Sequence, residues 1–295
     1  MRVLITGAYG QIGQALMLTA PAHWCVQGLG SKELDISDVQ QVMAVTQAFQ
    51  PQLIINAAAY TAVDAAENNR QQADAVNHFG AANLARAAQS IGCPLLHLST
   101  DYVFSGQHSQ PYSEHDTPDP LSVYGVSKWR GEQAVQLLCP QHIILRTSWV
   151  FGVHGHNFVK TMLRLSQERD SLSIVSDQIG GPTSTLSIAQ ALWQMAEQYR
   201  STGDCAWGTY HFSGAPTCSW YDFAAEIFKQ AVALQVIERS PVLRAINTSD
   251  YPTAAARPAY SVLDNSKIAR QFNIKHSDWK SELTLMLDSL KDAQQ

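Results

Sequence analysis

The stretch "RVLITGAYGQIG", residues 2–13, decides the fold, because a short apolar run leads directly into three glycines spaced by three residues. At the end of a strand, Gly7 permits a tight turn, Gly10 lets the backbone approach a phosphate, and Gly13 lets helix and strand pack closely. The helix that follows offers free N–H groups and the positive end of its dipole to a pyrophosphate. The stretch therefore predicts a dinucleotide-binding turn.

Short apolar runs alternate with longer helical patterns after this turn, which is typical of a parallel sheet covered by helices. Ser37 is expected to cap the second helix with Gln40 in return, and Gly92 is expected to end the third helix in a left-handed conformation. Strands are predicted at "RVLIT" (2–6), "WCVQG" (24–28), "LIINAA" (53–58), "PLLHLST" (94–100) and "HIILRTSWV" (142–150), and helices at 11–19, 38–49, 73–91 and around "YGVSK" (124–128).

The alternation loosens beyond residue 150, although no linker-like composition separates the two parts. Helices are expected near 157–167, from about 187, and near 220–234 and 279–290, with strands at "LSIVSD" (172–177) and "TYHFSG" (209–214). We therefore predict an α/β fold in which residues 1–150 form a doubly wound Rossmann-type parallel sheet. Residues 151–295 are expected to form mainly a smaller substrate-binding lobe, with some segments returning to the Rossmann domain.

Composition excludes several classes of protein. Apolar residues make up 45% of the 295 residues, enough for a substantial core. The formal net charge is −5 and the basic residues are scattered, so nucleic acid is not an expected partner. No apolar run approaches the roughly 18 residues of a membrane span, and the first run breaks too early for a signal peptide. We expect a cytoplasmic protein, without a metal site because no ligand spacing is recognisable.

The end of the second predicted strand is the place where a dinucleotide-binding fold holds the cofactor ribose. Ser31 and Lys32 lie there and could accommodate a 2′-phosphate, which favours NADPH. Glu33 and Asp35 stand close enough to keep NADH possible, although Asp35 could instead serve as a helix-entry residue. The cofactor preference stays open between these two readings.

Tyr124 and Lys128 lie four residues apart on a predicted helix, so their polar ends can converge on the same small volume. Thr100 ends the fourth predicted strand, at the edge of the sheet where ligands bind. In the reduction of a ketone, Tyr124 could protonate the developing alkoxide as a general acid. We expect Lys128 to lower the tyrosine pKa from near 10 by roughly one to three pH units.

Three of these stretches, "GAYGQIG", "STDYVF" (99–104) and "YGVSK", resemble the extended short-chain dehydrogenase/reductases, whose signatures are G-x-x-G-x-x-G and Tyr-x-x-x-Lys. Further stretches resemble the dTDP-4-dehydrorhamnose reductase family over nearly the whole chain. These are "NAAAYTAVDAAE" (56–67), "RTSWVFG" (146–152), "NFVKTML" (157–163), "DQIGGPT" (177–183) and "RPAYSVLD" (257–264). The resemblance implies reduction of the C4 ketone of dTDP-4-dehydro-L-rhamnose to dTDP-L-rhamnose with NADPH, or possible use of NADH.

The resemblance also assigns roles to residues at matching positions. It implies that Thr100, Tyr124 and Lys128 are catalytic. The residues expected to bind the cofactor are Gly7, Gly10, Gln11, Ile12, Ser31, Lys32, Asp35, Ile36, Ala57, Ala58, Ala59 and Tyr60, together with Tyr124 and Lys128. Those expected to bind the sugar nucleotide are Val63, Thr100, Tyr102, Trp149, Asn157 and Arg257, the last by bidentate contact with a diphosphate; Trp149 could instead be a core residue.

One departure from the family pattern and several alternative functions remain. Some members of the family bind magnesium at a dimer interface through a carboxylate at the position of Ala15, so a magnesium-bridged dimer is not expected here, and the oligomeric state stays open. Tyr102 stands where related dehydratases have glutamate, which disfavours dehydration. Another NDP-sugar reductase, or a sugar-nucleotide epimerase, needs the same tyrosine and lysine. A regulatory subunit like that of methionine adenosyltransferase would bind NADP without turnover.

Overall fold

The structure is a computed structural model, and it describes residues 1–292. Its centre is a parallel sheet of six strands. Further strands pair in three small two-stranded sheets. In chain order, the strands of all four sheets are β1 (Arg2–Thr6), β2 (Cys25–Leu29), β3 (Leu53–Asn56), β4 (Leu95–Thr100), β5 (His142–Thr147), β6 (Val150–Phe151), β7 (Ser171–Val175), β8 (Ile179–Gly180), β9 (Thr183–Ser184), β10 (Gly208–His211), β11 (Cys218–Ser219) and β12 (Val242–Ile246).

The order of strands across the central sheet is β10-β5-β4-β3-β1-β2. Strand β1 lies between β2 and β3, with Thr6 opposite Leu29 on one side and Asn56 on the other. The chain therefore places β2 on one side of β1 and then crosses over to place β3 on the other side. In sheets of this kind, ligands bind in the crevice outside the carboxyl ends of the strands at such a switch point.

Helices cover both faces of the sheet. They are α1 (Gln11–Leu18), α2 (Val39–Phe49), α3 (Val63–Ala66), α4 (Arg70–Asp74), α5 (Ala81–Ile91), α6 (Val123–Leu138), α7 (Phe158–Glu168), α8 (Thr185–Thr202), α9 (Trp220–Ala233), α10 (Ser266–Phe272) and α11 (Trp279–Asp292). Helices α1, α8 and α10 contribute to the core on one face, whereas α2, α5 and α6 contribute to the core on the other. The inner strands between them are largely buried on both faces, as their continuous apolar runs predict, whereas the edge strand β2 is partly exposed.

A second core lies outside the sheet, in the C-terminal lobe. Phe151, Phe223 and Trp279 are buried there together with apolar residues of α7, α9 and α11. Strands β7 and β12 pair in parallel beside this core. The lobe is not contiguous in sequence, since β10 joins the central sheet next to β5 and α8 packs against α1. The division of the chain at residue 150 stays a prediction.

The predicted α/β class with a Rossmann-type parallel sheet is confirmed, and local details differ. Asp38, not Ser37, caps α2, because its carboxylate accepts hydrogen bonds from the backbone N–H groups of Gln40 and Gln41. Gly92 ends α5 in the left-handed region with φ +66°, as expected. Sequence patterns did not indicate α3, α4, α10 or β12, which are short or amphipathic only in part. No helix within residues 1–292 is long and apolar enough to span a bilayer.

Candidate active site

The glycine turn after β1 forms a cradle at the switch point. Gly7 has φ +70°, and a Cβ there would lie 2.5 Å from the backbone nitrogen of Ala58. The N–H of Gly10 donates to the carbonyl of Gly7 at 3.0 Å and closes the turn. Helix α1 begins at Gln11, and no side chain caps its N-terminus. Its first N–H groups are therefore available to an anion, which fits the pyrophosphate of a dinucleotide.

The loop after β3 forms the second wall of the crevice. Its residues Ala57, Ala58, Ala59 and Tyr60 are half-buried, so they remain partly accessible to a ligand. The side-chain oxygen of Asn56 accepts from Ala58 N at 3.0 Å and from the Thr6 hydroxyl at 2.7 Å, so it ties this loop to β1. The loop and the glycine cradle are thus fixed against each other before any ligand binds.

Asn77 holds the far end of the same loop. Its side-chain amide accepts from Tyr60 N at 2.8 Å and donates to Tyr60 O at 3.0 Å, in the manner of a paired strand. It also donates to the Ser127 hydroxyl on α6 at 2.9 Å. Asn77 lies in a π-helical turn, Ala75–Gly80, and such turns are frequent at functional sites. The turn therefore joins the loop after β3 to the helix of Tyr124 and Lys128.

The residues after β2 lie at the edge of the crevice. Ser31 and Lys32 are exposed, so both are accessible to a ligand. Asp35 accepts from the N–H and the hydroxyl of Ser37 at 2.9 and 2.7 Å, which is the behaviour of a helix-entry residue. Ile36 is only 4% exposed and packs in the core. Only its backbone could meet a cofactor, and its carbonyl already accepts from Asn83.

Helix α6 brings Tyr124 and Lys128 to the carboxyl end of β4, and both side chains are buried. Ser122 caps the helix and sets where it begins, since its hydroxyl accepts from Gly125 N at 3.1 Å. Lys128 donates to the carbonyl of Leu98 on β4 at 2.7 Å. The ring of Tyr124 makes an edge contact with Tyr102 at 5.5 Å between centroids. The predicted tyrosine and lysine are therefore brought together with the fourth strand.

The predicted lowering of the Tyr124 pKa by Lys128 is wrong. Burial raises the pKa of the Tyr124 hydroxyl above its usual value, and only the neighbouring Thr100 hydroxyl acts in the opposite direction. Removal from water penalises the phenolate, and this penalty outweighs the neighbouring groups. Burial lowers the pKa of Lys128 to about 8, while Glu132 raises it. The phenol is thus firmly protonated at neutral pH, and the ammonium is the group that titrates near it.

Thr100 and Asp101 form a buried polar pair beside Tyr124. The Thr100 hydroxyl donates to an oxygen of Asp101 at 3.1 Å and accepts from Tyr102 N at 3.2 Å. The other carboxylate oxygen of Asp101 has no hydrogen-bond partner among the described residues. Burial raises the pKa of Asp101 to about 6, and the nearby hydroxyls of Ser261 and Thr100 act in the opposite direction. Sequence reasoning placed Thr100 correctly beside Tyr124 but gave Asp101 no role.

Three of the predicted substrate residues gather on the outer side of Tyr124. Val63 and Tyr102 pack with Tyr124 in one apolar cluster. Arg257 is close enough to Tyr102 to influence the pKa of its hydroxyl, which burial raises to about 12. The guanidinium donates to Asp64 at 2.8 Å, with a quarter of the arginine side chain exposed. Arg257 is therefore partly exposed beside Tyr102 and is not buried in the core.

Asn157 lies beside the start of α1, whereas Trp149 packs against the core of the C-terminal lobe. Trp149 adopts the left-handed region with φ +46°, and its indole stacks on that of Trp220 at 3.6 Å. The amide of Asn157 donates to Gln11 at 3.2 Å and to the carbonyl of Gly152 at 2.7 Å. Asn157 also caps α7. It therefore connects the C-terminal lobe to the start of α1.

A buried network next to Lys128 was not anticipated. Arg146 on β5 forms an ion pair with Glu132 on α6 at 2.6 Å, and both side chains are at most 3% exposed. An arginine inside the apolar run "HIILRT" was a usable signal, because a buried charge needs a partner. Residues 1–292 contain no group of three or more His, Cys, Asp or Glu side chains that could hold a metal ion.

Comparison with known proteins agrees with this geometry. The family model described as RmlD substrate binding domain matches residues 1–292. A dTDP-4-dehydrorhamnose reductase of Aggregatibacter actinomycetemcomitans is 50% identical over 284 residues, which are 96% of this chain and 97% of that protein.

Two solved structures extend the comparison to three dimensions. A crystal structure of a dTDP-4-dehydrorhamnose reductase from Clostridium acetobutylicum ATCC 824 has a TM-score of 0.90 at 37% identity, covering 99% of this chain and 100% of that one. The enzyme of the same name from Bacillus anthracis str. Ames, in complex with NADP, has a TM-score of 0.89 at 38% identity, covering 98% and 99%. The chain belongs to the dTDP-4-dehydrorhamnose reductase family, with the RmlD substrate binding domain over its described length.

Proposed function

We propose that this protein reduces the C4 ketone of dTDP-4-dehydro-L-rhamnose to dTDP-L-rhamnose with NADPH. The observation that carries the proposal is the buried group of Thr100, Tyr124 and Lys128 beside a glycine cradle with an uncapped helix N-terminus. The relative from Bacillus anthracis str. Ames, whose structure contains NADP, supports the choice of cofactor. NADH is a second possible cofactor, since Asp35 and Glu33 lie near the ribose end of the crevice.

The residues present fit a dinucleotide. The turn from Gly7 to Gly10 and the free N–H groups of α1 would hold its pyrophosphate, and the loop of Ala57 to Tyr60 would line it. Ser31 and Lys32 are exposed where a 2′-phosphate would lie. When bound, the reduced nicotinamide supplies the hydride that the ketone carbon accepts.

Residues of the protein would supply the proton that the ketone oxygen accepts. Tyr124 is protonated at neutral pH because burial raises its pKa, so it can donate to the oxygen that becomes negative during reduction. Thr100 would orient the same oxygen by a hydrogen bond. Lys128 has a pKa near 8, close to working pH, and can return a proton to Tyr124 after turnover. A positioned proton donor contributes roughly a hundred- to ten-thousand-fold in rate.

Purified protein is expected to oxidise NADPH when given dTDP-4-dehydro-L-rhamnose, with one dTDP-L-rhamnose formed per NADPH consumed. The loss of NADPH absorbance and chromatographic analysis of the product measure both quantities. Parallel assays with UDP- and GDP-linked 4-keto sugars and with NADH define base and cofactor preference. Tight NADPH binding without oxidation by any of these sugars would favour a regulatory subunit, and sugar isomerisation without net oxidation would favour an epimerase.

Arg257 is proposed to bind the diphosphate of the sugar nucleotide, because it is partly exposed beside Tyr102 and retains N–H groups beyond the one given to Asp64. Arg257→Ala is expected to raise KM for the sugar nucleotide roughly ten- to hundredfold, the equivalent of about 1.5–3 kcal/mol for charge-assisted hydrogen bonds. Steady-state kinetics at saturating NADPH measures the change, with kcat nearly unaltered.

Arg244→Ala is the matched control for this variant, since Arg244 is an exposed arginine on β12 of the same lobe. Its KM should equal that of the unaltered protein. If Arg257→Ala also leaves KM unchanged, the diphosphate binds elsewhere. A fall in kcat without a change in KM would instead assign Arg257 to the reaction step.

A further inference from the structure

Glu132 continues the spacing of the catalytic residues along α6. Tyr124, Lys128 and Glu132 are separated by four residues each, so they lie on one face of the helix, one turn apart. Glu132 is fully buried. A carboxylate in that position needs partners, because an isolated buried charge is strongly unfavourable.

The partners of Glu132 come from two neighbouring strands. The hydroxyl of Ser99 on β4 donates to Oε1 of Glu132. The guanidinium of Arg146 on β5 donates through Nε to Oε1 at 2.9 Å and through Nη2 to Oε2 at 2.6 Å. Ser99 and Arg146 are direct neighbours in the parallel register. This bidentate ion pair fixes the orientation of the Glu132 carboxylate.

The network joins α6 to the carboxyl end of β4, next to Thr100 and Tyr124. Leu98, Ser99 and Thr100 are consecutive residues of β4. Lys128 donates to the first, Glu132 accepts from the second, and the third lies beside the Tyr124 hydroxyl. A displacement of Glu132 would therefore move the helix that carries the tyrosine and lysine.

We propose that Glu132 is a positioning residue for Lys128: held by Ser99 and Arg146, its carboxylate fixes α6 against β4 and places a negative charge one turn from the ammonium. The consequence for catalysis rests on the proposed reductase function. The effect on Lys128 itself does not, since it can be measured without substrate.

The surroundings of Lys128 leave Glu132 as its main electrostatic neighbour. The titratable or charged side chains on or next to the elements packed against α6 are His97 on β4, Asp101 and Tyr102 in the turn after β4, Asp64 on and Glu67 after α3, Arg70 and Asp74 on α4, His78 in the π-helical turn, Arg86 on α5, and His142 and Arg146 on β5. Burial and Lys128 lower the pKa of His97 well below its usual value, so this imidazole is uncharged. Glu132 raises the pKa of Lys128 against the effect of burial.

The test is a pH titration of Lys128 followed by NMR in protein labelled with ¹³C at the lysine ε-carbons. The Lys128 signal is assigned by its loss in Lys128→Met. Glu132→Gln keeps the shape of the side chain but removes its charge, and it is expected to move the midpoint of the Lys128 titration down by about one pH unit. The sign follows because a positive group loses the neighbour that favours its charged form.

Two further variants keep the result interpretable. Glu132→Gln leaves Arg146 without a counter-charge and can unfold the protein. Glu132→Gln with Arg146→Met removes both charges and should show a fall in the same direction, reduced because the loss of the guanidinium favours the ammonium. Asp74→Asn removes a carboxylate that pairs with Arg130 on the exposed side of α6, at 3.1 Å, and should leave the midpoint in place. A midpoint unchanged in the folded double variant overturns the proposal.

Activity adds a second readout. In Glu132→Gln the alkaline limb of the kcat/KM profile should move to lower pH by the same amount as the NMR midpoint. A purely structural role for Glu132 would instead lower kcat at every pH and leave the limb in place, which also overturns the proposal. If the unaltered protein turns over no 4-keto sugar nucleotide, the reductase function fails, while the NMR titration still decides the role of Glu132.

Discussion

Replacing Tyr124 with phenylalanine is expected to lower kcat at least a hundredfold while leaving the affinity for NADPH nearly unchanged. The variant loses only the hydroxyl, and the ring keeps its packing against Val63 and Tyr102. The proton for the ketone oxygen would then come from water, which forfeits the roughly hundred- to ten-thousand-fold contribution of a positioned acid. Single-turnover kinetics and fluorescence titration with NADPH measure the two quantities separately.

Tyr112→Phe is the matched control for Tyr124→Phe. Tyr112 is also buried, and its hydroxyl accepts from the backbone N–H of His108, away from Tyr124. Its kcat should stay within a few-fold of the unaltered protein. A Tyr124→Phe variant with nearly normal kcat would refute the role of Tyr124 as the acid, even if the protein proved to be a reductase.

The second large effect is expected at the glycine cradle. Gly13→Ala should abolish NADPH binding and lower the free energy of unfolding by about 1–3 kcal/mol, the usual cost of overpacking. A Cβ at Gly13 would lie 2.1 Å from the carbonyl oxygen of Gly7 and 2.7 Å from Cα of Ala8. Both are backbone atoms, so α1 must shift away from β1 and the phosphate cradle must open. Calorimetric titration with NADPH and urea unfolding measure the two losses.

Gly10→Ala distinguishes a loss of NADPH binding from a loss of folding stability. A Cβ at Gly10 would meet only the carbonyl oxygen of Gly7, at 3.3 Å, and its φ of −74° is accessible to alanine. We therefore expect nearly unaltered unfolding but weaker NADPH binding, because the methyl group faces the expected phosphate. If Gly13→Ala binds NADPH and unfolds like the unaltered protein, the close approach of α1 to β1 does not support the cradle.

Much of the fold follows from local patterns in the sequence. The buried parallel strands read as continuous apolar runs, and glycines mark the turn after β1 and the end of α5, because these signals lie within a few neighbouring residues. The cap of α2 was misplaced by one residue, since Ser37 and Asp38 are both good caps and only the backbone course decides between them. The pairing of β10 with β5 could not be read locally, because about sixty residues separate them.

The candidate site also contains some features that the sequence predicts and others that it does not. Helical spacing alone brought Tyr124 and Lys128 together, and the strand end brought Thr100 beside them. The direction of the Tyr124 pKa could not be predicted, because spacing shows which charges are near but not how completely water is excluded. Glu132 repeats the four-residue spacing and was readable in principle. Its partner Arg146 becomes evident only when β4 and β5 lie side by side.

The position of β10 bears on how the polypeptide can be divided. A fragment that ended after β5 would contain the glycine cradle and all three proposed catalytic residues, yet β5 would be left as an uncovered rim of unpaired backbone groups. It would also lack α8, whose apolar side packs against α1. Such a truncation would expose the unpaired edge of β5 and the apolar side of α1, and both would favour aggregation. Cutting the chain at residue 150 would therefore remove the strand that completes the central sheet and a helix that covers one of its faces.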